Sequence, residues 1–492
     1  MIPYADFTYF GLLLYAVVPT LILGLFGKAG WRWATLVTVA ILVVQYHGLL
    51  HIRPQFAVRE IWMVIGFGIW QWATACVFAK TGARAGWPFY AAVAAGLLPL
   101  AVSKAFPAIS PKTEFGFLGI SYVTFRALDV VFCLRDKVIP LPGTLDLSMF
   151  LFFFPTISAG PIDRFQRFAD DWRKRRTRAD FLMDLDGAVH RIFRGFFYKF
   201  IVAALIKQYW MERAASSGTF SALVSYMYAY SFYLFFDFAG YSAFAIALSY
   251  LFGVHTPENF KRPFLARNIR DFWNRWHITL SFWFRDHVYM RFLYAAMRGN
   301  WFAHKEVAPI VGYFLAFGLM GLWHGPEVHY IVYGLYQAVL LSGFHLFSRW
   351  SKARRVWPNG VVARLASTVI TFQFVCLGLL IFSGRIGAAP LPHLVGKIEH
   401  ADCASISGWI WDKYDADAEI RGELWDGGRY VMAFPANGFR EDLLDAGYGN
   451  GRHAFKIATP VQLRDKRLHE LHVRVARTKQ ELTGSPREIR CQ

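Results

Sequence analysis

Apolar positions along this chain gather into blocks of membrane length. Blocks near 8–26, 34–50, 61–79, 88–103, 116–134, 146–160, 192–209, 220–253, 307–323, 328–348 and 364–383 each approach the length of a helix across bilayer hydrocarbon. Several are short, or interrupted by Gly, Pro or Arg, which points to re-entrant passes among them. The expected fold is an all-α polytopic membrane protein.

The pattern changes near the C-terminus. SISGWIWD, AEIRGELWDGGRYVMAF, HAFKIATP and HELHVRVAR alternate apolar and polar positions, and Asp426-Gly427-Gly428 and Gly449-Asn450-Gly451 supply turns. These predict a small all-β sandwich. The domains expected are a transmembrane part over 1–385, a linker over 386–395 and a β module over 396–492. The opening MIPYADFTYFGLLLYAVVPTLILGLF has neither a basic n-region nor an A-x-A cleavage site, so it is expected to stay as the first helix.

Charge gives these blocks a direction. The formal net charge is +19, and residues 393–492 hold 15 basic and 15 acidic side chains, so the excess lies on the membrane part. Two clusters, RFQRFADDWRKRRTR (164–178) and RWSKARR (349–355), mark cytoplasmic loops under the positive-inside rule. They also suit an acidic partner, with Arg173, Lys174, Arg175 and Arg176 as its docking contacts. No basic-aromatic module for nucleic acid accompanies them. With 349–355 cytoplasmic, parity puts residue 324 toward the outer side and the β module outside the cell. Cys403 and Cys491 bracket that module and are free to pair there. Cys76, Cys133 and Cys376 fall in apolar blocks and read as inert thiols. No Cys/His spacing suggests a metal site.

Two stretches carry more polar chemistry than a lipid-facing span tolerates. RNIRDFWNRWHITLSFWFRDHVYMRF (267–292), read as a helix, aligns Trp273, Trp276, His277, Leu280, Trp283, Phe284 and His287 in one stripe. Arg270, Asn274, Ser281 and Arg285 fall on another face. It is either an interfacial amphipathic helix or a buried helix beside a polar path. GLWHGPEVHY (321–330) sets His324 between glycines where two apolar blocks meet. A histidine at a membrane edge is often interfacial; one facing a path is a base or relay. His287, His329 and His345 read as structural or interfacial. GYSAF (240–244) fails as a nucleophile elbow at its last glycine, and there is no P-loop or dinucleotide fingerprint. Histidine without a serine nucleophile suits direct transfer: imidazole as general base on an acceptor hydroxyl, toward a donor already activated as a thioester.

NRWHITLSFWFRDHVY taken with GLWHG resembles the membrane-bound O-acyltransferase family. IPYADFTYF, FLGISYVTFRALDVVF (117–132), FFPTISAGPIDRFQRF (153–168), FFDFAGYSAFAIALSYLFGV (235–254) and ENFKRPFLARNIRDFW (258–273) are similar to its teichoic-acid D-alanylation branch. The resemblance covers roughly residues 1–385 and implies a ring of helices around a tunnel in a bacterial cell membrane. It implies catalytic roles for His324 and His277; the aromatic 272–284 stretch suits the tunnel's lining, with Trp273, Asn274, Trp276, Ser281 and Trp323 as the expected residues. No permanently bound cofactor is implied; the D-alanyl donor rides the phosphopantetheine arm of a small acidic carrier protein. Teichoic acid is the implied acceptor. The added β module loosely resembles modules of bacterial glycan-modifying enzymes, which opens lipopolysaccharide or another envelope glycan as acceptor and a glycan-associated role for the module.

Three other readings compete. An O-acetyltransferase of an exported polysaccharide shares the motifs. A transporter lined by His277, Arg285 and His324 would lose flux, and no acyl ester, on removal of His324. A glycan receptor anchored by helices leaves the two motif histidines without a task.

Overall fold

The computed structural model describes residues 3–5, 7–47, 54–109, 116–354, 360–388, 394–476 and 480–491. Residues 389–393 of the expected linker and the end of the 34–50 block lie outside the described residues.

Helices α1 (Phe7–Leu25), α2 (Trp31–His47), α3 (Pro54–Lys80) and α4 (Trp87–Ile109) open the chain. Next come α5 (Ile120–Arg135), α6 (Thr144–Phe152), α7 (Phe165–Trp172), α8 (Arg178–Phe196), α9 (Glu212–Ala215) and α10 (Phe220–Leu251). The short α11 (Ile269–Trp273), α12 (Ile278–Phe284) and α13 (Met290–Arg298) precede α14 (Val307–His324), α15 (Val328–Arg354) and α16 (Val361–Phe382). Seven helices among the described residues are long and apolar enough to cross a membrane: α1, α3, α4, α10, α14, α15 and α16. The shortest, α14, has 18 residues; at about 1.5 Å per residue that approaches the ~30 Å of bilayer hydrocarbon.

The other apolar blocks end as shorter pieces. Block 146–160 stops at Phe152 and turns through a 3₁₀ segment, Phe154–Thr156. Block 192–209 falls on the end of α8 and on π-helical turns at Phe197–Ala203 and Ile206–Met211. Block 116–134 becomes α5, 16 residues buried along nearly its whole second half. A helix apolar all round belongs inside the protein, and α5 carries Arg126 and Asp129 there, each 1% exposed. Arg126 has the acceptors that burial demands: the carbonyls of Phe150 and Leu151 at 3.2 Å, Thr156 O at 2.6 Å and Thr156 Oγ1 at 2.5 Å. One guanidinium thereby gathers the free carbonyls at the end of α6 and shapes the FFPTISAGPID turn.

The chain forms two compact units, 1–207 with 227–386, and 208–226 with 387–492. In the second, β1 (Leu394–Ala401), β2 (Ser405–Asp412), β6 (Arg452–Ala458) and β5 (Gly438–Phe439) form one antiparallel sheet in that order. The other has the order β4 (Arg429–Ala436), β3 (Ile420–Asp426), β7 (Leu468–Val475), β8 (Arg487–Arg490). Alternation puts Ile398, Ile406 and Ile410 of one sheet in the same core as Leu424, Leu471 and Val473 of the other. A disulfide joins Cys403 to Cys491, with Cα atoms 5.3 Å apart.

Candidate active site

His324 is the last residue of α14, and α15 begins four residues later. The two helices form a tight hairpin because glycines face the partner backbone. A Cβ on Gly321 would collide with the Tyr330 carbonyl, and one on Gly334 with the Phe317 carbonyl. The His324 ring is enclosed by Trp323 (centroids 4.6 Å apart), Phe382 (4.9 Å) and Tyr330 (5.8 Å). Lys104, from α4, donates to the His324 carbonyl at 3.2 Å and so caps the end of α14.

The 267–292 stretch is not one helix. α11 ends at Trp273, His277 takes a left-handed conformation with φ +41°, and α12 starts at Ile278. The loop before it imposes the break. Asn259 O accepts from Ile278 N at 2.9 Å, and Lys261 N donates to Arg275 O at 2.9 Å, so neither group continues a helix. The Asn259 side chain, wholly buried, accepts from the Thr279 hydroxyl at 2.8 Å. Thr279 Oγ1 in turn accepts from Ile162 N at 3.0 Å. His277 is thus held by backbone, in a conformation disfavoured for a residue with a Cβ; such outliers cluster at functional sites. A further break follows at the π-helical turn Arg285–Tyr289.

These two constructions bring the histidines to one place. Tyr122 of α5 stacks on His277 (6.4 Å, 19° between planes) and meets Trp323 edge-on at 6.1 Å. Tyr122 and Trp323 thus bridge the two imidazole rings. Phe238 closes the other side of His277 at 4.8 Å. No carboxylate pairs with either imidazole among the described residues. His277 Nδ1 and Trp323 Nε1 are both buried without a hydrogen-bond partner. Unpaired buried polar atoms are costly, and these two are groups that a bound substrate can satisfy.

The remaining motif residues divide. Trp273 is buried, with Nε1 donating to Gln337 of α15 at 3.2 Å and its ring against Phe317. Trp276 is buried among Phe260, Phe264 and Phe272. Ser281 donates back to Trp276 O at 3.2 Å, and Asn274 is exposed at the end of α11. His287 joins a separate buried cluster, with Nε2 3.0 Å from Asp129, which also accepts from Arg164 at 2.8 Å. Of the basic cluster, Arg176 is inside the protein, 2.6 Å from Asp184 and donating to Leu251 O and Tyr250 O. Arg173 pairs with Asp146 at 2.8 Å, whereas Lys174 and Arg175 are exposed. Lys104, Tyr122 and Asn259 were not singled out in the sequence. Their partners lie about 20 to 220 residues away, and no local pattern marks them. Among the described residues no group of three or more His, Cys, Asp or Glu side chains gathers as a metal site would need.

An imidazole at the junction of two apolar helices, with a second imidazole across Tyr122 and Trp323 and an unpaired indole N–H, is equipped to move a proton between an acceptor hydroxyl and a leaving group. The comparisons with known proteins bear on the family. Residues 117–381 match the membrane-bound O-acyltransferase family, a stretch that includes both histidines. The chain is 40% identical to teichoic acid D-alanyltransferase of Bacillus subtilis (strain 168) over 395 residues, 78% of this chain and 98% of that protein. It is 36% identical over 400 residues to the enzyme of the same name from Lacticaseibacillus rhamnosus, covering 78% and 97%. A probable alginate O-acetylase of Pseudomonas syringae pv. tomato is 32% identical over 302 residues, 59% of this chain and 55% of that one. The chain belongs to the membrane-bound O-acyltransferase family.

Proposed function

We propose that this O-acyltransferase moves D-alanine from a thioester on a carrier protein to hydroxyls of an envelope polymer of the teichoic acid type. The bridge of Tyr122 and Trp323 between His277 and His324, with the buried indole N–H unpaired, carries the reading, and the similarity to two teichoic acid D-alanyltransferases supplies the acyl group. His324 takes the proton of the acceptor hydroxyl as its oxygen attacks the thioester carbonyl. The C–S bond then breaks, and the proton returns from the imidazolium to the departing thiolate. Trp323 Nε1–H is the donor offered to the carbonyl oxygen as it gains charge, the role of an oxyanion hole. His277 holds the pair of rings in place and completes the proton path.

The donor enters from the basic side. Lys174 and Arg175, exposed and unpaired by ion contacts among the described residues, suit an acidic carrier. Positive-inside topology then places His324 toward the outer side and the β unit outside the cell, where its disulfide is at home. Trp409 and Trp411 of β2 flank Tyr448 at 4.7 and 5.1 Å, an aromatic surface of the kind that stacks on sugars, in keeping with a glycan-associated module.

The test is base-labile D-alanine on the envelopes of wild-type, deletion, and His324→Ala-complemented cells. The ester should vanish on deletion and stay absent with His324→Ala. Unchanged D-alanine with lost O-acetyl groups would instead favour the acetyl reading that the alginate O-acetylase similarity supports.

A further inference from the structure

A groove between α15 and α16 is separate from the two histidines. It holds about 1310 Å³, more than the roughly 300–1,000 Å³ of ordinary small-molecule pockets. Its floor is apolar, built by Leu340, Phe344, Ile370 and Phe374. Gly343 borders open space, since a Cβ there would meet nothing within 4 Å. Val339, Ile370 and Phe374 are exposed on helices that are long and apolar enough to cross a membrane, so the groove faces hydrocarbon.

The rim changes character at the end of α15 opposite His324. Arg267, Lys352 and Arg364 line it, all exposed. No carboxylate is among the described lining residues, and none of the three cations has an ion pair among the described residues. Three unpaired cations over an apolar trough complement one ligand chemistry: an anionic headgroup with a hydrocarbon tail. Basic pockets between membrane helices recognise anionic lipids in this way.

We propose that this groove binds one anionic diacyl phospholipid, its phosphate among Arg267, Lys352 and Arg364 and an acyl chain along Phe344 and Phe374. The site has a route to the chemistry. Arg267 and Asn268 lead directly into α11, Asn268 Oδ1 accepts from Asp271 N at 2.8 Å, and Trp273 at the end of α11 is fastened to Gln337 of α15. A headgroup held by both Arg267 and the end of α15 braces the segment that leads to His277. The lipid is thus a positioning ligand and takes no part in the transfer itself.

The test uses the full chain in nanodiscs of phosphatidylcholine with graded phosphatidylglycerol, counting retained lipid by native mass spectrometry. Wild type should keep one phosphatidylglycerol in preference to phosphatidylcholine by roughly tenfold or more. Lys352→Ala/Arg364→Ala should abolish that preference. Gly343→Trp, which fills the trough and leaves the cations, should also release the lipid. Melting temperatures in pure phosphatidylcholine discs identify any variant that has merely unfolded. Equal retention of the two lipids by wild type, or unchanged preference in both variants, would overturn the proposal. So would full displacement by millimolar inorganic phosphate, which would mean a bare anion site.

Discussion

At the scale of single residues, the turn that carries His277 depends on a buried side chain behind it. Asn259 sets the His277 turn with its carbonyl and Thr279 with its amide. Asn259→Ala keeps the backbone bond but leaves the Thr279 hydroxyl and Ser242 without their buried partner. The cost should be about 1–3 kcal/mol of stability, with the transfer rate falling more than the apparent affinity for donor. Thermal unfolding in detergent and steady-state kinetics read both, and wild-type values for each would refute the role. His324 was legible because its neighbours advertise it: glycines on both sides and an apolar block on each flank. Asn259 was not, because its partners are residues 278 and 279, across a loop that no periodicity links. Arg176 was misleading for a related reason. In a row of cations it looks like surface, yet Asp184 and two carbonyls at the end of α10 draw it inside.

At the scale of elements, hydrophobic length identified the long helices and failed where tertiary contacts override the local pattern. Blocks that became α1, α14, α15 and α16 are apolar for a full membrane crossing. The 267–292 stretch has helical spacing throughout, but the 259–261 loop intercepts its hydrogen bonds and breaks it at His277. The turn joining α7 to α8 holds the basic surface proposed above for the carrier. Thr177 caps α8 in a capping box with Asp180, so the exposed Lys174 and Arg175 sit on an ordered element. Lys174→Glu/Arg175→Glu should weaken carrier binding by roughly tenfold at low salt, with the difference shrinking as salt rises. Surface-plasmon titration of the carrier at two ionic strengths measures this; equal affinity at low salt would remove the surface from consideration.

At the scale of the whole molecule, an ionic junction ties α7, α8 and the residue run after α10. His255 Nε2 lies 2.8 Å from Asp184, and its Nδ1 lies 3.2 Å from Asp171. Hydrogen bonds to those two carboxylates raise its pKa from 6.5 to about 9. A raised histidine contributes stability in full below its unfolded value and loses it as pH climbs through the folded one. Thermal stability should therefore decline between about pH 6.5 and about 9, and His255→Gln should flatten that slope. An identical slope in the variant would contradict the assignment. The β unit was legible as a sandwich because turn pairs and alternation mark its strands. That residues 208–226 cluster with it was not, since nothing local in those residues points to a tail nearly 200 residues later.

In the proposed mechanism His324 carries a direct transfer from thioester to hydroxyl. Purified protein in proteoliposomes, given carrier loaded with radiolabelled D-alanine and a polyol-phosphate acceptor, tests it in a single turnover. Label should pass to the acceptor with none left on the chain, His324→Ala should transfer nothing above background, and His277→Ala should be slowed by about 10–100-fold. Transfer by His324→Ala at the wild-type rate, or a labelled chain accumulating before acceptor is added, would contradict the account.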